Sequence, residues 1–260
     1  KYYRTQGIPA CIWAEEAELV NRNTDLFRER LRLLRKRWSE TVLQILGEKK
    51  GGILNAMLLG DKQKMDAEIK EQYQLNGIAH ILAISGLHLS FVGLGFYRFV
   101  RRTSGSYLAG GLAGITFLLL YIAMIGCTVS AVRAVIMFCM QVGADMTGRV
   151  NDRLTAYTLA MAGVIWWRPL AFLDAGFQLS FGAVGAVLFL YPIIASEKNA
   201  FGKLAESLRV SVCIELLTVP VILHHYYELP TWSVLLNLIV IPLMSLVLLL
   251  GFLGGMGLML

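Results

Sequence analysis

Two kinds of residue pattern in this chain could carry chemistry. The first is the segment from Asn76 to Ser90, NGIAHILAISGLHLS, which holds His80 and His88, two of the four histidines. Ser85 lies three residues before His88, so on a helix the hydroxyl and the imidazole share one face. A serine nucleophile with a histidine base needs such contact, plus an orienting group and an oxyanion site. No nearby carboxylate supplies the orienting group, so packing around Ser85 and Gly86, or a helix break there, is the simpler reading beside an intramembrane hydrolase. A zinc site is weaker still, because His80 and His88 stand about 12 Å apart along a helix. The four cysteines, Cys11, Cys127, Cys139 and Cys213, have neither a close pair nor ligand-like spacing and read as small buried side chains. No metal and no cofactor is implied.

The second pattern is a set of polar stripes on otherwise apolar segments. Ser130, Arg133 and Gln141 recur at helical spacing between Thr128 and Asp145, with Met137 between them. Between Leu208 and His225, Ser211, Glu215, Thr218 and His225 recur at steps of four, three and seven, again on one face. A polar side chain in lipid is costly unless it faces protein or water. A lone arginine and a lone carboxylate in different spans therefore invite a buried Arg133–Glu215 bridge; the alternative is that these faces line a hydrated path.

The elements that carry these stripes follow from composition. Of 260 residues, 56% are apolar and 16% charged, against roughly 25% charged in an average soluble domain. Disorder, a collagen-like repeat and a small disulfide scaffold are excluded, and most of the chain is expected to sit in lipid. The charges are concentrated early, with 14 Lys or Arg and 11 Asp or Glu up to Gly77. Beyond it, uncharged runs of 22 to 32 residues (Gln72 to Tyr97, Thr103 to Val132, Ala175 to Ser196, Leu229 to Leu260) reach the length that crosses a bilayer. Leu154 to Trp167 covers only about 21 Å as a helix and reads as a short helix ending at the interface. The fold expected is all-α: a polytopic helical membrane protein with several transmembrane helices, short or broken helices near Pro169, Pro192, Pro220 and Pro242, and amphipathic interfacial helices before the first span. Gly110 with Gly114, and Gly251 with Gly255, are spaced for close helix packing.

Ahead of the first span, Phe27, Leu31, Leu34, Trp38, Val42 and Ile45 form one side of a basic amphipathic helix suited to the headgroup layer, with nucleic-acid phosphates as the alternative partner of its arginines. Gly52 to Gly60 is too short to span and must lie on the surface or pack re-entrantly. Asp61 to Gln74 reads as a second amphipathic helix. Taking Ile78 to Phe99 as the first span, Arg98, Arg101 and Arg102, then Arg149 and Arg153, then Lys198, Lys203 and Arg209 fall on one side of the membrane, which the positive-inside rule makes cytoplasmic. Residues 1 to 77 are then extracytoplasmic. Starting at Lys1 and stopping inside an apolar run, the chain is expected to be a segment of a larger protein.

The order of motifs adds a family. GGILNAMLLGDKQKM (Gly51 to Met65) and NGIAHILAISGLHLSFVG (Asn76 to Gly93) resemble the opening of the competence domain of ComEC-type DNA-uptake proteins. VSAVRAVIM at Val129, GR at Gly148, RPLAFLDAGFQLSFGAV at Arg168 and NLIVIPL at Asn237 follow in the same order. The resemblance implies a channel in the bacterial cytoplasmic membrane that carries one DNA strand inward during natural transformation. It implies an organisation of residues 1–24 as the tail of an OB-like extracytoplasmic region, 25–77 as interfacial helices and 78–260 as the competence domain. It makes an extracytoplasmic DNA receptor and a cytoplasmic ATP-driven motor expected partners beside DNA and lipid, the chain having no GxxxxGK loop of its own. In the family a metallo-β-lactamase-like domain often follows; no HxHxD motif occurs here, so nuclease activity would belong outside this chain, which reads as a channel and not an enzyme. On that reading Arg133 is the first candidate for phosphate contact, with His80, His88, Gln178 and Asn237 as neutral polar candidates along the path. Ser85, Glu215, Ser211, Thr218 and Gln141 would make up the remaining polar interior, Glu215 being paired, with Arg133 among the candidates. The reading from another class is an ion-coupled secondary transporter of a small solute using Arg133 and Glu215.

Overall fold

A computed structural model describes residues 25–62, 65–78, 82, 85–194, 202–227 and 232–257. The proposed OB-like tail at 1–24 and His80 lie outside these residues. The described chain is helical, without strands. Its helices are α1 (Leu26–Leu59), α2 (Ala67–Leu75), α3 (Gly86–Ser104), α4 (Tyr107–Ile125), α5 (Val129–Thr147), α6 (Arg153–Trp167), α7 (Ala175–Ile194), α8 (Gly202–Tyr226) and α9 (Ser233–Gly257). A single 3₁₀ turn, Pro169–Leu173, links α6 to α7, and α7 widens into a π-helical turn over Ala186–Leu190.

Local chemistry sets most of these boundaries. The side chains of Asp25, Asp66, Ser85, Ser106, Thr128 and Asp152 each accept a backbone N–H in the first turn of the helix that follows, satisfying donors that have no partner inside the helix. The Thr103 to Val132 run is cut in two where Gly126 adopts φ 105° and Thr128 starts α5. The helix expected as a span over Ile78 to Phe99 starts instead at Gly86, because Ser85 is extended and caps it, and runs on to Ser104; with Arg98, Arg101 and Arg102 in its last turns it is not among the described helices apolar enough to cross a bilayer. The second amphipathic helix likewise begins at Ala67, not Asp61, because Asp66 takes the amide of Glu68.

α1 is two helices, not one. Gly47, at φ 74° and ψ 171°, turns the chain back on itself. Asn55 Nδ2 then donates to the carbonyl and hydroxyl of Ser39 (3.2 and 3.0 Å), and Gly51 closes on Leu43. Both pairs are centred on residue 47, so the arms 26–46 and 48–59 run antiparallel. The basic arm is therefore docked on its neighbour, and the short Gly52 to Gly60 stretch packs into the bundle, with Asn55, Ala56, Met57, Leu58 and Leu59 buried.

Two hydrophobic clusters hold the bundle. One joins α1, α3, α4, α5 and α9 through Trp38, Leu58, Leu89, Tyr97, Leu118, Phe138 and Leu248. The other joins α5, α6 and α7 through Val129, Tyr157, Val164, Phe177 and Phe181. α5 belongs to both, and none of its residues from Val129 to Met146 is exposed. Gly110 and Gly114 lie against Arg101 and Tyr97 of α3; Gly251 and Gly255 lie against Leu58 and Trp38 of α1, so both glycine pairs serve as close contacts. Outward positions are apolar: Leu112 and Leu119 on α4, Leu216 and Leu223 on α8, Leu243 and Leu250 on α9. Five helices, α4, α5, α7, α8 and α9, are long and apolar enough to cross a bilayer, which makes this a multi-pass membrane protein.

Candidate functional site

Arg133 sits one turn into α5, where α3, α5 and α7 meet. Its side chain is 7% exposed. Nη1 donates to the Ser180 carbonyl of α7, Nη2 lies over Gly86 at the first position of α3, and the guanidinium carbon stands 5.6 Å from the Phe181 ring centre. Tyr157 of α6 donates to the next carbonyl, Phe181 O, at 3.2 Å. Two adjacent carbonyls of α7 are thus held from outside, one turn before its π-helical segment. Arg133 Nε has no hydrogen-bond partner. No carboxylate of the described residues forms an ion pair with this cation. A membrane-buried positive charge without a counter-ion is costly and is a functional pointer.

The Arg133–Glu215 pair does not form. Glu215 instead accepts a hydrogen bond from the Ser233 hydroxyl at the start of α9. The spacing correctly turns each residue inward on its own helix, but α7 packs on both α5 and α8, so the two charges face different neighbours.

Ser85 and His88 do meet, in a capping box and not along a helix face. Ser85 N donates to His88 Nδ1 (2.9 Å), the Ser85 hydroxyl oxygen lies 2.9 Å from the same nitrogen, and His88 N donates back to Ser85 Oγ at 3.4 Å. His88 is 1% exposed. The imidazole nitrogen that a serine nucleophile would use as its base is engaged in holding the helix start. The same two residues flank Gly86, over which Arg133 lies; a side chain there would collide with the guanidinium.

The remaining polar candidates gather along α8. Its inward face presents Ser211, Glu215, Thr218 and His225, half-buried except for buried Thr218, whose hydroxyl bonds its own helix at Ile214 O. His225 Nε2 and Gln178 Oε1 of α7 are 3.0 Å apart, and Gln178 Nε2 donates to Phe172 O. Across the seam, α9 contributes Ser233 and, one turn on, Asn237, whose Oδ1 is buried without a donor. Gln141, half-buried on α5, belongs to neither group. The structure so divides the candidates in two: Arg133, Ser85 and His88 at the α3–α5–α7 junction, and Gln178, Ser211, Glu215, Thr218 and Asn237 along the α7–α8–α9 seam. Gly86 takes the packing role its sequence position suggested, and Tyr157, Phe181 and Ser233 complete these sites without a mark in the sequence. Gly86 had a local signal, a glycine directly after a capping serine; the others act through a carbonyl, a ring face and a hydroxyl that no spacing rule marks.

Comparison with known proteins follows the same residues. The family model described as Competence protein matches residues 57–260, which include every member of both groups. The chain is 27% identical over 229 residues to ComE operon protein 3 of Bacillus subtilis (strain 168), covering 88% of this chain and 29% of that protein. It is 28% identical over 208 residues to competence protein ComA of Neisseria gonorrhoeae (76% and 29% covered) and 28% identical over 199 residues to recombination protein 2 of Haemophilus influenzae (74% and 24%). The chain thus spans under a third of the length of these curated relatives. No solved structure matches it. A matched family region that covers the chain from residue 57 to 260, a helical membrane architecture and motifs in a shared order lead to one statement: the chain belongs to the competence protein family, of the ComEC type.

Proposed function

We infer that this chain forms the membrane-crossing part of a DNA-uptake channel and passes a single strand across the cytoplasmic membrane. The observation that carries the reading is the α7–α8–α9 seam. Half-buried Gln178, Glu215 and His225 occupy the inward faces of helices whose outward faces are apolar. A strand with one charge per nucleotide needs water and polar groups, and contacts weak enough to release it. The seam offers neutral donors and acceptors in Gln178, Ser211, Thr218 and Asn237, its Glu215 carboxylate is held by the Ser233 hydroxyl, and Arg133, behind α7, adds positive potential without an ion pair among the described residues. The family model described as Competence protein and a relative named competence protein ComA support the same reading.

The ion-coupled transporter reading required Arg133 and Glu215 in one site, and their separation disfavours it. On this reading the chain acts as a channel without catalysis, and any nuclease would lie in a metallo-β-lactamase-like domain outside it. Sidedness has support too. Tyr121, near the end of α4 away from Arg101, donates to Leu58 O, so α1 docks at the side opposite the arginine-rich loops, as expected if residues 1–77 are extracytoplasmic. A receptor on that side and a motor on the other are the partners this arrangement calls for.

Uptake of end-labelled duplex DNA by cells lacking the gene tests the proposal. Normal surface binding with no protected internal label, restored by the full-length gene, is the expected result. Unchanged protected label would overturn it.

A further inference from the structure

Away from both polar groups, an open cleft of about 230 Å³ runs beside the contact between the second arm of α1 and α9. It is lined by Leu46, Ile53, Leu54, Met57 and Val247, with Lys50 as its one charged member. One wall belongs to a transmembrane helix whose adjacent Leu246 and Leu250 are 53% and 59% exposed, so the cleft opens where hydrocarbon, not water, surrounds the protein. Apolar lining in that position is matched by an alkyl chain. The mouth carries a different signal. Lys50 and its neighbour Lys49 are exposed at the tip of the hairpin, and neither forms an ion pair among the described residues. A cation at the end of an apolar cleft beside a span fits the phosphate of a lipid whose acyl chain fills the cleft.

We propose that this cleft is a binding site for one anionic phospholipid, its acyl chain lying between Ile53, Leu54, Met57 and Val247 and its phosphate held by Lys50. The lipid covers the apolar groove that flanks the contact between the hairpin and α9. The proposal is independent of the route taken by DNA.

The test uses full-length protein in detergent, titrated with phosphatidylglycerol or phosphatidylcholine and read by native mass spectrometry. One phosphatidylglycerol is retained per chain. Lys50→Ala, which removes an exposed side chain and no packing, weakens retention about fivefold, the factor for one lysine beside an anionic headgroup. Val247→Trp fills the cleft and abolishes retention; if it does not accumulate, Lys50→Ala decides alone. Equal retention of phosphatidylcholine and phosphatidylglycerol, or unchanged retention in Lys50→Ala, overturns the proposal.

Discussion

Arg133 carries its charge in α5, of which no residue from Val129 to Met146 is exposed, and no described carboxylate forms an ion pair with it. Replacing a whole buried ion pair by hydrophobes of similar volume is often neutral or stabilising, and removing Arg133 leaves no ion-pair partner behind among the described residues. Arg133→Met is therefore expected to keep thermal stability within about 1 kcal/mol of the parent while lowering protected DNA label more than tenfold. Equal loss of stability and uptake would make Arg133 a clamp on Ser180 and Gly86 and nothing more. Ser85 gives the contrasting case. Its oxygen caps α3, so Ser85→Ala is expected to cost about 1 kcal/mol in a melting experiment and to leave uptake within twofold. Abolished uptake at normal protein level would return Ser85 to the list of reactive groups.

Elements show the same dependence on close contact. Gly255 lies against the Trp38 indole, whereas Gly254 faces open space. A larger side chain at the first position overpacks the α1–α9 contact at a cost of about 1–3 kcal/mol. Gly255→Leu should thus expose the α1 hairpin to limited proteolysis, and Gly254→Leu should leave the cleavage pattern unchanged. At the start of α6, hydrogen bonds from the Thr155 hydroxyl and then the Leu154 amide hold the Asp152 carboxyl below the usual aspartate range. A lowered folded-state value means that the cap stabilises α6 fully above the unfolded aspartate value, near pH 4, and is lost as pH falls through the folded-state value. Hydrogen exchange of the first α6 amides should accelerate from pH 5 to pH 3 beyond the intrinsic trend, and Asp152→Ala should remove that difference.

At the scale of the whole molecule, the expected orientation assigns the α4–α5 turn to the outside and the α3–α4 turn to the cytoplasm. Cys127 is exposed in the first of these turns and Cys213 is buried in α8. In a Cys11→Ser, Cys139→Ala background, a membrane-impermeant maleimide should label Cys127 in wall-stripped cells and leave Cys213 unlabelled. A cysteine replacing Thr103 should react in inverted vesicles alone. The reverse pattern would invert the topology and put the α1 hairpin in the cytoplasm.

Much of this architecture is legible in the sequence because helices in lipid are specified locally. The apolar runs, the capping residues and the glycine pairs act through contacts within a few residues, or through a solvent that treats every helix alike. The short α6 and the inward polar stripe of α8 follow from length and period alone. The boundary of α3 and the break at Gly126 needed the cap geometry, since Ser85 and Thr128 signal a helix start only when their own backbone is extended. Which faces meet is a different matter. Helical spacing turns Arg133 and Glu215 inward but gives neither a neighbour. Only packing decides that α7 stands between them, that Arg133 reaches a carbonyl and Glu215 a hydroxyl, and that the basic helix folds back at Gly47. Pairing between segments far apart in sequence depends on the shapes of all the helices at once, so the tertiary structure alone could set it.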